Sequence, residues 1–253
     1  MKVLILGGTA EARALAAALA DRREFSVTLS LAGRTKDPAK QPVPVRRGGF
    51  GGAEGLARHL RDEQIDILID ATHPYAAAIS ANAAEAARIA EVKLLALRRP
   101  AWTKRPGDRW IEVDTVAGAV RAIGSAPRRV FLALGRKELQ PFAASPQHFY
   151  LIRSVDPVNP PLAVPQAEYI VARGPFSEGE DRALLEKHRI EIVVAKNSGG
   201  AATYGKIAAA RALSIPVVML KRPVLPEVPS VATVEAAVGW LDHALTLSVA
   251  RGV

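Results

Sequence analysis

Short apolar runs recur along the chain, and between them lie alanine-rich stretches whose apolar positions return every three or four residues. The runs predict strands over 2–6, 25–31, 66–70 and 93–97, then over 129–134, 148–153, 168–173, 190–195 and 216–220. The intervening stretches predict helices over 10–21, 53–63, 75–90, 115–123, 178–188, 203–213 and 233–246. Strand and helix alternating in this way is the pattern of parallel strands joined by crossover helices, an α/β fold. Periodicity fails at Arg98-Arg-Pro-Ala-Trp-Thr-Lys-Arg-Pro-Gly-Asp108, a segment rich in proline and charge. We place a linker there, at about 99–108, between domains spanning 1–98 and 109–253.

Chemistry is expected at the strand exits, because open α/β sheets take ligands beyond the carboxyl ends of their strands. The first exit, Gly7-Gly-Thr-Ala-Glu-Ala-Arg13, partly fits the dinucleotide fingerprint G-x-G-x-x-G/A. Gly7 matches the first glycine and Ala12 the last small position, but Thr9 replaces the middle glycine. Gly8 and Thr9 then stand where backbone and hydroxyl can meet a pyrophosphate, with Glu11 in the same helical turn. A plain turn that needs glycine dihedrals accounts for the sequence as well. After the second strand comes Ala32-Gly-Arg-Thr-Lys36, with no carboxylate to accept from ribose hydroxyls. Arg34, helped by Thr35 or Lys36, suits a 2′-phosphate, which favours NADP over NAD. The exit of the third predicted strand, Asp70-Ala-Thr-His-Pro-Tyr-Ala76, offers Thr72, His73 and Tyr75 for positioning cofactor or substrate. His73 is either a proton donor or a structural hydrogen-bonding group beside Pro74.

The expected architecture is two Rossmann-like domains with mainly parallel sheets and a ligand cleft between them. Gly48-Gly-Phe-Gly-Gly52 suggests close backbone approach to a flat group with Phe50 packed on it, or a flexible turn anchored by a buried Phe50. In the second half, Arg136 and Lys137 follow a strand, as do Arg153, Arg173 and Lys196. The turn Lys196-Asn-Ser-Gly-Gly-Ala-Ala-Thr-Tyr-Gly-Lys206 joins a strand to a helix and reads as an anion cradle or as a well-capped surface loop.

Lysine and arginine outnumber aspartate and glutamate by 34 to 25, a net charge of +9 that favours anionic partners. The excess is dispersed, and at 5% aromatic content there are few stacking platforms, so a small polyanion is favoured over nucleic acid or a membrane surface. The absence of cysteine removes disulfides, thiol catalysis and cysteine-liganded metals, and five scattered histidines suggest no metal site. No apolar stretch approaches the ~18 residues of a membrane span. The opening Met-Lys-Val-Leu-Ile-Leu reads as a buried strand rather than a leader, and a cytoplasmic location is expected. No tyrosine is followed four residues later by lysine, and H-E-x-x-H, G-x-S-x-G and Walker A motifs are missing.

In order and spacing, these segments resemble the precorrin-6A reductase family of cobalamin biosynthesis. The carriers are Leu6–Arg13, Gly48–Gly52, Asp70–Ala76 with Ile79–Asn82, Arg99–Trp102, Gly135–Leu139, Val155–Pro157, Arg173–Phe176, Lys196–Gly200 with Thr203, Tyr204 and Lys206, and Arg222–Pro223. The resemblance implies NADPH-dependent reduction of precorrin-6A to precorrin-6B, with hydride to C19 and a proton to C18 of the macrocycle. It also implies cofactor binding by the first domain, where the strand-exit reading places Gly7, Gly8, Thr9, Glu11, Arg34, Thr72 and His73 as candidates. The polyanionic tetrapyrrole would be held by Phe50, Arg136, Lys137, Lys196, Asn197, Ser198, Gly199, Gly200, Thr203, Tyr204 and Lys206. His73, Tyr75 and Tyr204 are the candidates for positioning or proton donation, with water as the other proton source. Two readings stand beside this one: a cobalt-precorrin-6A reductase, and a non-catalytic nucleotide- or anion-binding module. A monomer is compatible with the sequence.

Overall fold

In the computed structural model, residues 1–33 and 40–250 are described, without the side chains of 248–250. The chain opens with β1 (Lys2–Leu6), α1 (Ala10–Leu19), β2 (Ser26–Leu31), β3 (Val45–Arg47), α2 (Gly52–Asp62), β4 (Ile67–Asp70), α3 (Ala77–Ala90) and β5 (Lys93–Leu97). It continues through β6 (Trp110–Val113), α4 (Val116–Ile123), β7 (Arg129–Ala133), β8 (Phe149–Ser154), β9 (Ala167–Val171), α5 (Glu178–Lys187), β10 (Ile192–Lys196), α6 (Gly205–Ala212) and β11 (Val217–Leu220). It finishes with β12 (Ser230–Val231) and α7 (Val234–Ala250). Two 3₁₀ turns, Arg136–Glu138 and Gln140–Ala144, follow β7 in place of a crossover α-helix.

The first sheet runs β12-β5-β4-β1-β2-β3 and every pairing in it is parallel. Its central strands β1, β4 and β5 are largely apolar because both faces are covered. Val3, Ile5, Leu29, Ile67, Ile69 and Leu95 pack with Leu15 and Leu19 of α1 and with Ala237, Leu241 and Ala244 of α7. Leu4, Leu6 and Leu68 point the other way, onto Leu56 and Leu60 of α2 and Ala83 and Ala86 of α3. The second sheet runs β6-β11-β10-β7-β8-β9, again wholly parallel. Phe131, Leu151, Val193, Ala195, Val217 and Met219 pack on one face with Leu185 of α5 and Ile207, Ala209 and Ala210 of α6.

The domain boundaries expected from sequence need correction. One compact unit is Met1–Pro100 together with Pro223 onward, and the other is Ala101–Arg222. After β5 the chain gives its next strand, β6, to the second sheet beside β11, and after β11 it gives β12 to the first sheet beside β5. The two sheets thus exchange their sixth strands. The periodicity of 233–246 identifies an apolar helical stripe, but a stripe does not name the sheet it will cover; Ala237, Leu241 and Ala244 cover the first. The strands absent from the sequence reading are β3, β6 and β12, all at sheet edges. Edge strands are short and half-solvated, so they lack the apolar run that marks a central strand. Among the described residues, no helix is long and apolar enough to cross a membrane.

Candidate active site

In the first unit β1 and β4 are neighbours, while β2 and β5 continue outward on opposite sides. The crevice beyond the carboxyl ends of β1 and β4 is therefore the switch point of the sheet. Gly7 and Gly8 line it for different reasons. A Cβ on Gly7 would lie 2.6 Å from Leu29 Cδ1, so this glycine permits close strand–helix packing. Gly8 has φ of +111° and nothing within 4 Å of a would-be Cβ, so it is needed for its backbone conformation. Thr9 caps α1: its hydroxyl oxygen accepts from Ala12 N at 3.1 Å and its proton goes to the Ala71 carbonyl at 2.8 Å. The sequence reading offered that hydroxyl to a pyrophosphate, but it is committed to joining the two loops of the crevice. What a helix start leaves for an anion is its first-turn N–H groups. Glu11, in that turn, is engaged by Arg99 Nη1 at 2.5 Å.

The β4 exit is organised around buried Asp70, whose Oδ1 accepts from Thr72 Oγ1 at 2.7 Å and Thr72 N at 3.2 Å. Thr72 accordingly fastens its own loop. His73 Nδ1 accepts from Tyr75 N at 3.3 Å, which in the neutral ring puts the proton on Nε2, and the two rings lie 5.7 Å apart. Phe50 is half-buried: the Arg46 guanidinium covers its ring at 3.7 Å, the His59 ring lies tilted against it at 5.1 Å, and it packs onto the cluster of Leu56 and Leu60. Burial and the nearby Arg46 charge hold the His59 pKa below its usual value. Arg34, with Thr35 and Lys36, lies outside the described residues.

In the second unit the corresponding switch point lies between β7 and β10. Lys196, at the end of β10, donates to Glu138 Oε1 at 2.7 Å. Arg136 stands 3.6 Å from Asp156, and Lys137 is exposed. Asn197 is buried and grips Trp102 twice: Oδ1 accepts from Trp102 N at 2.7 Å and Nδ2 donates to Trp102 O at 2.9 Å. The Trp102 indole N–H donates to Gly200 O at 2.8 Å. Arg222 donates to Asn197 O and Ser198 O at 2.9 and 3.1 Å, so Asn197–Gly200 is held from both ends of the unit. Gly199 and Gly200 have φ of +68° and +74°, which carries the chain toward α6.

Tyr204 sits with its ring 5.6 Å from Trp102 and its hydroxyl accepting from Arg211, which also pairs with Asp108 at 2.8 Å. Trp102, Tyr204 and Phe176, with Arg105, Glu178 and Arg211, line a cavity of about 460 Å³. Sequence reading missed Asp108 and Arg211; neither lies at a strand exit, and although Arg211 stands two helical turns after Tyr204, only folding brings it to Asp108. Trp102 was visible only as part of a motif.

Two sequence assignments are corrected. Lys206 is 4% exposed and points inward, donating to Thr203 O at 2.5 Å, so it does not face a ligand. Burial, with the nearby Arg153 charge, pushes its ammonium down to about 7, partly opposed by Asp181. Arg153, expected among the basic strand exits, is buried in an ion pair with Asp181 and stacked 3.7 Å over Phe176. Buried ion pairs of this kind need each partner in place.

Residues 2–242 match the family model described as precorrin-6x reductase CbiJ/CobK. The chain belongs to that family. Among precorrin-6x reductases, a Sinorhizobium sp. protein named precorrin-6A reductase is 56% identical, over 96% of this chain and 93% of its own. A solved structure titled CobK precorrin-6A reductase superposes with a TM-score of 0.92 at 48% identity, covering 96% of each chain. A cobalt-precorrin-6A reductase of Priestia megaterium is more distant, 27% identical over 87% of this chain and 90% of its own. For a precorrin-6x reductase, the Thr9–Ala71 bridge and the Asn197–Trp102 clamp are how this chain shapes the loops at its two switch points.

Proposed function

We propose that the protein reduces precorrin-6A to precorrin-6B with NADPH in cobalamin biosynthesis, hydride arriving at C19 and a proton at C18 of the macrocycle. The observation that carries the reading is the switch-point turn of the first unit, Gly7-Gly8-Thr9 against Ala71, in a chain 56% identical to a protein named for that reaction. The residues there suit a dinucleotide: Gly8 leaves open space where a side chain would stand, and α1 begins directly beyond it. In this reading the first turn of α1 receives the pyrophosphate, Arg34 the 2′-phosphate, and the loop carrying Thr72, His73 and Tyr75 borders the reacting end. Bound NADPH supplies the hydride. The remaining work is positioning: holding donor and acceptor at near-attack distance supplies most of the acceleration in such a step. Asn197–Gly200 and Tyr204, with exposed Lys137, orient the tetrapyrrole and its carboxylates, and Lys206 acts from below by fixing the Thr203 carbonyl. The metal-free substrate is favoured over the cobalt form because the cobalt-named relative is the more distant one. Stoichiometric NADPH oxidation on adding precorrin-6A tests the reading. Binding of both without turnover would instead indicate a non-catalytic module.

A further inference from the structure

The motif Gly135-Arg-Lys-Glu-Leu139 closes β7, and its acidic member plays no part in the reaction as proposed. β7 and β10 lie side by side while β8 and β11 continue outward on opposite sides, so the crevice beyond β7 and β10 is where this sheet would take a ligand. Glu138 fills that position. Its carboxylate lies so close over Gly135 that a Cβ there would be 2.4 Å from Oε2, and Oε1 accepts from Lys196 Nζ at 2.7 Å. The pair is sheltered without being sealed, with side-chain exposures of 16% for Lys196 and 29% for Glu138. An anion of the chain itself thus holds the lysine that the β10 exit presents.

We infer that Glu138 is an internal stand-in for a ligand carboxylate, displaced from Lys196 when a carboxylate arm of the tetrapyrrole binds. Glu138 thereby sets how tightly the second unit holds its polyanion. The inference rests on the proposed tetrapyrrole reaction. Exchanging one carboxylate for another on the same ammonium preserves the charge pairing, and the displaced Glu138 then repels the incoming arm. Such a competitor is useful to a chain of net charge +9. Unopposed cations would grip substrate and product equally, and uniform binding lowers KM without raising kcat.

Glu138→Gln keeps the shape over Gly135 and removes the charge. The probe is uroporphyrin, an octacarboxylate macrocycle, titrated by fluorescence against the full chain, with precorrin-6A and NADPH kinetics in parallel. Glu138→Gln is expected to bind the probe about fivefold more tightly, to lower KM for precorrin-6A and to leave KM for NADPH unchanged. Lys196→Met is expected to weaken the probe, and adding Glu138→Gln to it should bring no gain. Unchanged affinity in a folded Glu138→Gln protein, or a gain that persists without Lys196, overturns the inference. Should Glu138→Gln fail to fold, Lys196→Met decides alone: undiminished probe binding overturns it. Wild-type protein that binds the probe but never oxidises NADPH with precorrin-6A sinks the proposed reaction, and the binding comparison still judges Glu138.

Discussion

One carboxamide, that of Asn197, brackets both backbone groups of Trp102, accepting from its N–H at 2.7 Å and donating to its C=O at 2.9 Å across 95 residues of sequence. Asn197 is buried and both bonds are partly buried, so water replaces them only incompletely when the side chain is lost. Asn197→Ala should therefore cost about 1–3 kcal/mol, since it leaves the partly buried backbone groups of Trp102 without their partner. Urea unfolding of the two proteins measures this. A loss below about 0.5 kcal/mol would mean that the clamp is incidental.

Glycine substitutions at two tight places should differ in cost. At Gly7 the obstructing atom is Leu29 Cδ1 at 2.6 Å, the end of a side chain that can shift. At Gly205 the obstructing atoms are the Ser177 and Phe176 carbonyl oxygens at 2.6 and 2.7 Å, which are backbone. Gly7→Ala is expected to cost about 1–3 kcal/mol and Gly205→Ala more, with the α6 start displaced. Thermal and urea denaturation of both variants tests the order; a Gly205→Ala protein as stable as the parent would refute it.

Lys206 makes stability depend on pH in a stated direction. Its folded pKa of about 7 lies below the usual 10.5, so between these values the unfolded chain binds the extra proton. Stability from this group therefore rises as pH increases from about 7 to 10.5 and is lost as pH falls back toward 7. The buried charges facing it are Arg153, which depresses the pKa, and Asp181, which raises it. Lys206→Met, with similar bulk and no charge, should flatten this component of the curve. Parallel pH-dependent slopes for the two proteins would show that Lys206 keeps its proton when buried.

Arg34→Ala is expected to raise KM for NADPH by tenfold or more, on the order of one lost charge-assisted phosphate contact, and to leave KM for NADH nearly unchanged. Initial rates with precorrin-6A at varied cofactor concentration provide the comparison. Equal effects on both cofactors would remove the 2′-phosphate role.

His73→Ala and Tyr204→Phe should each lower turnover without abolishing it, by roughly tenfold or less, because the proposed hydride transfer relies on positioning more than on any single proton donor. Single-turnover rates on folded variants decide. Complete loss in His73→Ala would identify a dedicated acid.

The apolar runs determined the central strands, and Gly7-Gly8-Thr9 and Lys196–Lys206 were readable as strand exits, because burial on two faces and glycine-dependent turns leave local marks in a sequence. The same marks identified a polar, basic character but not its use. Lys206 and Arg153 read as ligand-facing cations, and folding turns both inward to Thr203 and Asp181. Glu138 and Lys196 stand 58 residues apart, and Arg211 reaches Asp108 across 103. Tertiary structure alone decided these pairings, and with them the exchange of β6 and β12 between the sheets. The physical reason is common to all: periodicity records that a side chain will be covered, whereas the partner that covers it is fixed by strand order, which no local pattern encodes.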